Sequence, residues 1–209
     1  MRRWVVRSKD DKNGQTWVLG ILAATLIATG TAGCGGSSAS GALHAAYVTN
    51  LQSNNVSVIA TATNTVVGAV PVGNSPFCVA ITPDGSHAYV TNVSSNSVSV
   101  IATATNTVVA TVTVGTGPQG IAITPDGSQA YVANSDSDNV TVIVTANNTI
   151  VAVVPVGSVP ELVAITPDGS HAYVANSDSD SVSVIATATN TVVATVPVGI
   201  EPLGVAIQP

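Results

Sequence analysis

After Lys12 the chain has no lysine and no arginine; all five basic residues (Arg2, Arg3, Arg7, Lys9 and Lys12) stand in the first dozen of 209 positions. Of the 11 acidic residues only Asp10 and Asp11 share that stretch, which leaves nine carboxylates and a charge of about −9 on the rest, with histidine neutral. This excludes a lysine or arginine that cradles phosphate, an arginine finger, and nucleic acid as a partner, because nucleic-acid affinity is largely phosphate neutralisation. Charged residues are 8% of the chain and aromatic residues 3%. Cysteine is equally sparse, with only Cys34 and Cys78. The length suits one domain.

The basic residues belong to an address. Residues 1 to 16 hold five positive and two negative charges, and an uncharged, mostly apolar run of 17 residues follows from Trp17 to Gly33. A basic head and an apolar stretch that closes on small residues form a secretory signal. The alternative, a membrane-spanning anchor, sits at the lower limit of length and is diluted by Gly20, Thr25, Thr29, Gly30 and Thr31. The stretch ends Thr31-Ala32-Gly33-Cys34. It resembles a bacterial lipobox, which implies cleavage before Cys34, acylation of that cysteine, and attachment to the membrane through the lipid. The expected division is a signal over 1–33, the lipidated cysteine and a Gly/Ser/Ala tether over 34–41, and a repeat domain over 42–209. Cys78 then has no partner in the chain, and its apolar setting (Phe77-Cys78-Val79-Ala80-Ile81) predicts a buried small hydrophobe.

From Ala42 the sequence repeats. Tyr47, Tyr89, Tyr131 and Tyr173 are 42 residues apart, as are Gly73, Gly115, Gly157 and Gly199, and Pro76, Pro118, Pro160 and Pro202. Thr-Pro-Asp-Gly-Ser recurs at 82–86, 124–128 and 166–170, and Val98–Val112 is identical to Val182–Val196. Residues 42–209 make four units of 42, a period that points to propeller blades or another array. Each unit reads as four short strands; for the second unit these are 88–92, 98–102, 107–114 and 120–124. Val, Ile, Thr and Tyr favour strands, and apolar runs of four to eight residues are too short for helices. Pro125-Asp126-Gly127 sets φ with proline and supplies a glycine able to take positive φ, which closes a hairpin. Runs without polar alternation, such as Ile121-Ala122-Ile123, predict sheets buried on both faces.

Tyr47-Val48-Thr49-Asn50 and Tyr89-Val90-Thr91-Asn92, with Tyr131-Val132-Ala133-Asn134 and Tyr173-Val174-Ala175-Asn176, resemble the YVTN family of β-propeller repeats. The Val-Gly-x-x-Pro, Thr-Pro-Asp-Gly and Ala-Thr-Asn-Thr-Val stretches match as well. The resemblance covers 42–209 and implies an all-β fold, a β-propeller of four 42-residue, four-stranded antiparallel blades. It also implies a cell-envelope protein facing the periplasm or the exterior. The units begin at a second strand near Ala46 and end with an innermost strand at Gly204-Val205-Ala206-Ile207, sixteen strands in all. Three closures follow: a four-bladed monomer, a homodimer that exchanges innermost strands in an eight-bladed ring, or an open remnant.

Several constellations carry chemistry on paper. Gly115-Thr116-Gly117-Pro118-Gln119-Gly120 matches a dinucleotide fingerprint, but a strand follows where a helix is required, so it reads as a turn. Asp84, Ser86 and His87, with Asp168, Ser170 and His171, supply triad residue types inside one hairpin, and the other repeats have Ala45 or Gln129 at the histidine position. The loops Asn134–Asn139 and Asn176–Ser181 carry alternate carboxylates, which makes Asp136, Asp138, Asp178 and Asp180 candidates for loosely held calcium. Thr141 and Asn147 occupy the positions where a calcium loop needs Gly and Glu, so the EF-hand reading fails. The tyrosines read as repeated packing positions.

Antiparallel blades place the loops between second and third strands on the same face as the turns that join blades. Asp136, Asp138, Asp178, Asp180, Glu161 and Glu201 then share that face, six of the nine carboxylates. Such a field attracts a basic protein or a cationic ligand. The expected function is a non-catalytic binding scaffold with no cofactor except loosely held calcium. The alternatives are a lactonase- or lyase-type propeller enzyme working through the central channel, where His44, His87 and His171 are the only histidines, and a purely structural surface protein.

Overall fold

A computed structural model describes residues 44–208; the signal, Cys34 and the tether lie outside the described residues. The 42-residue period of the sequence is the period of the fold. The first blade holds β1 (Ala45–Asn50), β2 (Asn55–Ala60) and β3 (Thr65–Pro71). The second holds β4 (Pro76–Ile81), β5 (His87–Asn92), β6 (Ser97–Ala102) and β7 (Thr107–Thr113). The third runs β8 (Pro118–Ile123), β9 (Gln129–Asn134), β10 (Asn139–Val144) and β11 (Thr149–Pro155). The fourth runs β12 (Pro160–Ile165), β13 (His171–Asn176), β14 (Ser181–Ala186) and β15 (Thr191–Pro197). Every sheet is an antiparallel meander in sequence order. The fold is a β-propeller built from four blades.

The turns repeat because their residues do. Thr82-Pro83-Asp84-Gly85-Ser86 closes with Gly85 N–H on the Thr82 carbonyl at 2.7 Å, Gly85 holding φ of 72°. Asn64, Asn106, Asn148 and Asn190 take φ between 52° and 58° in the turns before the outermost strands, a conformation asparagine tolerates better than most residues. Each outermost strand carries a bulge against its neighbour, as between Val100 and Ile101. The residue left over there is Val67, Val109, Val151 or Val193, each more than half exposed. A bulge bends and twists the outer edge, which hinders edge-to-edge pairing of an uncharged strand.

The core lies between blades rather than within them. One cluster joins Val56, Val58 and Val70 of the first blade to Ala88, Val90 and Ile101 of the second. A second joins Tyr89, Val98 and Val100 to Ile121, Val132 and Ile143. A third joins Tyr131, Val140 and Val142 to Ala172, Val174 and Ile185. Burying each valine or isoleucine among them contributes about 1.5–3 kcal/mol, and sheets covered on both faces explain the missing polar alternation. Cys78 is a free, buried member of the second cluster, and burial pushes its thiol pKa up.

The structure differs from the sequence expectation at one strand. Fifteen strands form among the described residues, and Gly204–Ile207 is not one of them. A strand exists by pairing, and β1, the edge this segment matches, pairs with β2 alone among the described residues. No core cluster joins the first and fourth blades among the described residues.

Candidate functional site

The loops between second and third strands meet the blade-joining turns on one face, as backbone bonds from Val93 to Ser75 and from Ser135 to Gly117 record. Each joining turn has a residue at positive φ: Ser75, Gly117, Val159 or Glu201. Its N–H donates to a side-chain oxygen of the preceding loop: Ser75 to Asn54 at 2.9 Å, Gly117 to Asn96 at 3.1 Å, Val159 to Asp138 at 2.9 Å, and Glu201 to Asp180 at 2.9 Å. Asp138 and Asp180 therefore do in the later repeats what asparagines do in the earlier ones. One oxygen of each is committed to holding a turn.

Glu161, Asp136 and Asp178 form a different group. Glu161 lies on β12, half-buried, while Asp136 and Asp178 are exposed in the loops after β9 and β13. Burial raises the Glu161 carboxyl above the ordinary glutamate range, the Gln119 side chain pulls it back, and the charges of Asp178 and Asp136 push it up again. Three carboxylates from two neighbouring blades thus share one electrostatic neighbourhood. Glu201, exposed in the turn after the fourth blade, is not among the charges that act on Glu161. Among the described residues no three His, Cys, Asp or Glu side chains converge closely enough to hold a metal ion.

The glycine-rich string 115–120 serves this packing. Gly117 holds φ of 63°, and a Cβ there would lie 2.6 Å from an Asp136 carboxylate oxygen. A Cβ on Gly120 would strike the backbone of Glu161 and Leu162 on the neighbouring inner strand. The string is a turn entering β8, as the sequence indicates.

Sequence reasoning gave no role to the asparagine that closes each Tyr-Val-x-Asn strand. Asn92, Asn134 and Asn176 are fully buried just beneath the acidic face. Their amide nitrogens donate to paired side-chain oxygens on the next strand: Ser97 and Ser99, Asn139 and Thr141, Ser181 and Ser183. Their carbonyl oxygens have no hydrogen-bond partner. The feature recurs at Asn92, beside a loop without carboxylates, so it belongs to the blade and not to the acidic group.

The opposite face carries the Asp, Ser and His hairpins. Thr82 Oγ1 donates to Asp84 at 2.6 Å, Ser86 N–H and Oγ reach the same carboxylate at 3.0 and 2.9 Å, and Ser86 Oγ lies 2.8 Å from His87 Nδ1. The hydrogen bonds from Thr82 and Ser86 hold Asp84 down to about 2, and Thr166 and Ser170 do the same for Asp168. The serine sits between acid and imidazole, whereas a nucleophilic triad needs the imidazole between the other two. A groove of about 280 Å³ runs beside this hairpin, lined in part by His87, Asp126 and Thr145.

Blades packed face to face on shared cores, with loops gathered on two faces, define a propeller-type repeat protein. The chain belongs to the YNCE-like beta-propeller family, whose model matches residues 22–127. No curated protein matches it in sequence. Among solved structures it is similar to hydrazine synthase of Kuenenia stuttgartiensis, at 33% identity and a TM-score of 0.69, over 72% of this chain and 45% of that one. A functionally unknown protein from Desulfotomaculum acetoxidans matches at 22% identity and a TM-score of 0.65, over 78% and 56%. The dihydro-heme d1 dehydrogenase NirN matches at 19% and 0.65, over 77% and 36%; these last two share the fold alone. The chain spans between about a third and just over half of the length of these proteins.

Proposed function

We propose that the protein is an exported, lipid-anchored propeller that binds a basic protein or cationic ligand on its acidic loop face. The observation that carries this reading is the group of Glu161, Asp136 and Asp178 in a chain without a lysine or arginine after Lys12. Like charges held together oppose folding, and a cationic partner relieves that repulsion on binding. Calorimetric titration of the full-length protein with an oligolysine peptide tests it. Binding that weakens as salt rises, and that is lost in a Glu161→Gln, Asp136→Asn, Asp178→Asn variant, supports the reading; equal binding by that variant overturns it.

The anchor rests on Thr31-Ala32-Gly33-Cys34 behind a basic, then apolar, leader. Cys34→Ser is expected to move the protein from the membrane fraction to the soluble exported fraction, read by fractionation and intact mass. Retention of the variant in the membrane contradicts lipid attachment. The 33% identity to hydrazine synthase favours a second reading, in which the propeller works as part of an enzyme whose catalytic residues lie outside it. That reading predicts co-purification with a defined set of further subunits from native membranes.

A further inference from the structure

The two ends of the arc present the two halves of one interface. Three times along the chain a blade meets its successor through an inter-blade core and a tyrosine hydroxyl that reaches into the following blade. Inner strands lie side by side twice, β4 with β8 and β8 with β12, while β1 is what β4 meets in the first blade. The tyrosine bond is regular. Tyr47 donates to Asn106 at 2.6 Å, Tyr89 to Asn148 at 2.7 Å and Tyr131 to Asn190 at 2.6 Å, always 59 residues on. Tyr173 on the fourth blade makes no such bond among the described residues. Asn64, one repeat before Asn106, is exposed and in the same left-handed turn conformation.

The sheet edges break at the same place. β1 pairs with β2 alone among the described residues, so its inner edge is open. Pro202–Ile207 repeats the innermost-strand pattern and forms no strand. The register of the three complete blades is constant: Pro76, Val79, Ala80 and Ile81 oppose Asn92, Val90, Tyr89 and Ala88, and the equivalents in the third and fourth blades do the same. Continued by one repeat, Pro202, Val205, Ala206 and Ile207 oppose Asn50, Val48, Tyr47 and Ala46. The faces left bare are apolar, with Val48, Val196, Val198 and Leu203 each more than two-fifths exposed.

We propose that the open arc docks head to tail on a second copy of this chain, each copy lending Pro202–Ile207 as the missing inner strand of the other's first blade. Tyr173 of each copy then donates to Asn64 of the other. Two copies of the four described blades give eight, within the range that propellers close, and the two identical contacts leave no inner edge unpaired. Within one copy, no core cluster among the described residues joins the first and fourth blades.

Paired cysteines test the register. Full-length Val48→Cys and Val205→Cys chains, purified separately in detergent, are mixed under mild oxidation. Directly opposed antiparallel residues lie within disulfide reach. The expected result is a covalent two-copy species in the mixture that neither variant forms alone, and its loss on reduction. The double variant, Val48→Cys with Val205→Cys, is expected to stop at two copies. A bond within one copy, a ladder of higher multiples, or no bond in a chain whose light-scattering mass is that of a single copy would each overturn the proposal. Tyr173→Phe adds a second reading: the two-copy mass is expected to dissociate at several-fold higher protein concentration, while an unchanged midpoint argues against the Tyr173 contact.

Discussion

The hydroxyl of Tyr89 donates to the side-chain oxygen of Asn148 at 2.7 Å, from the second strand of one blade to a turn in the next. The ring that carries it is 1% exposed, within the core shared by the two blades. Burial pushes its pKa up to about 12, so it stays a protonated donor at any physiological pH. The asparagine has two tasks, tolerating φ of 58° and accepting this proton. The repeat therefore fixes the angle between blades with a directional bond as well as with packing.

Tyr89→Phe keeps the ring and removes the donor, leaving the Asn148 oxygen without it. The expected cost is about 0.5–1.5 kcal/mol, the net range for one intramolecular hydrogen bond, read as a lower denaturant midpoint with an unchanged slope. Asn148→Ala should cost at least as much, because it also loses a residue suited to the left-handed turn.

Acid should weaken the fold through the hairpins of the opposite face. Asp84 and Asp168 are held to about 2 in the folded protein, against roughly 3.9 in an unfolded chain. A depressed folded value gives stability that is present above the unfolded value and lost as pH falls through the folded one. The stability that these two carboxylates supply should therefore hold from neutral pH to about 5 and decline between about 4 and 2. Asp84→Ala with Asp168→Ala is expected to flatten that decline, as thermal melts at stepped pH will show.

Glu161 should behave in the opposite sense. Its folded value is raised, by burial first and by Asp178 and Asp136 after it, so the folded state favours the protonated acid. The penalty is absent below the unfolded value of roughly 4.3 and grows as pH rises through the folded one. Glu161→Gln is therefore expected to raise the melting temperature at pH 7 and to change it little at pH 3, while weakening oligolysine binding. A variant that is less stable at pH 7 would mean that the carboxylate is held by attractions rather than repelled.

Much of the blade was legible in advance because a propeller writes its geometry locally. The strands assigned at 88–92 and 98–102 are β5 and β6 to within one residue at each end, since β-branched runs and Pro-Asp-Gly turns act over a few residues. The relationships that failed to show are those between blades. Nothing near Tyr131 marks Asn190 as its partner 59 residues away, so the tyrosines read as packing alone. Asp138 and Asp180 looked like free rim charges because their work lies in the turn that follows the blade, 21 residues on. Gly204–Ile207 has a strand's composition and no partner within the arc, and composition does not record a missing partner.

The most direct measurement follows the Glu161 carboxyl itself. Glutamate labelled at the side-chain carbon gives two signals from this chain, Glu161 and Glu201, and a pH titration by NMR separates them. Saturating oligolysine is expected to move the Glu161 midpoint downward, because a cation beside three gathered carboxylates favours the ionised form. A midpoint that stays in place with the peptide bound would put the cationic partner somewhere other than the acidic face.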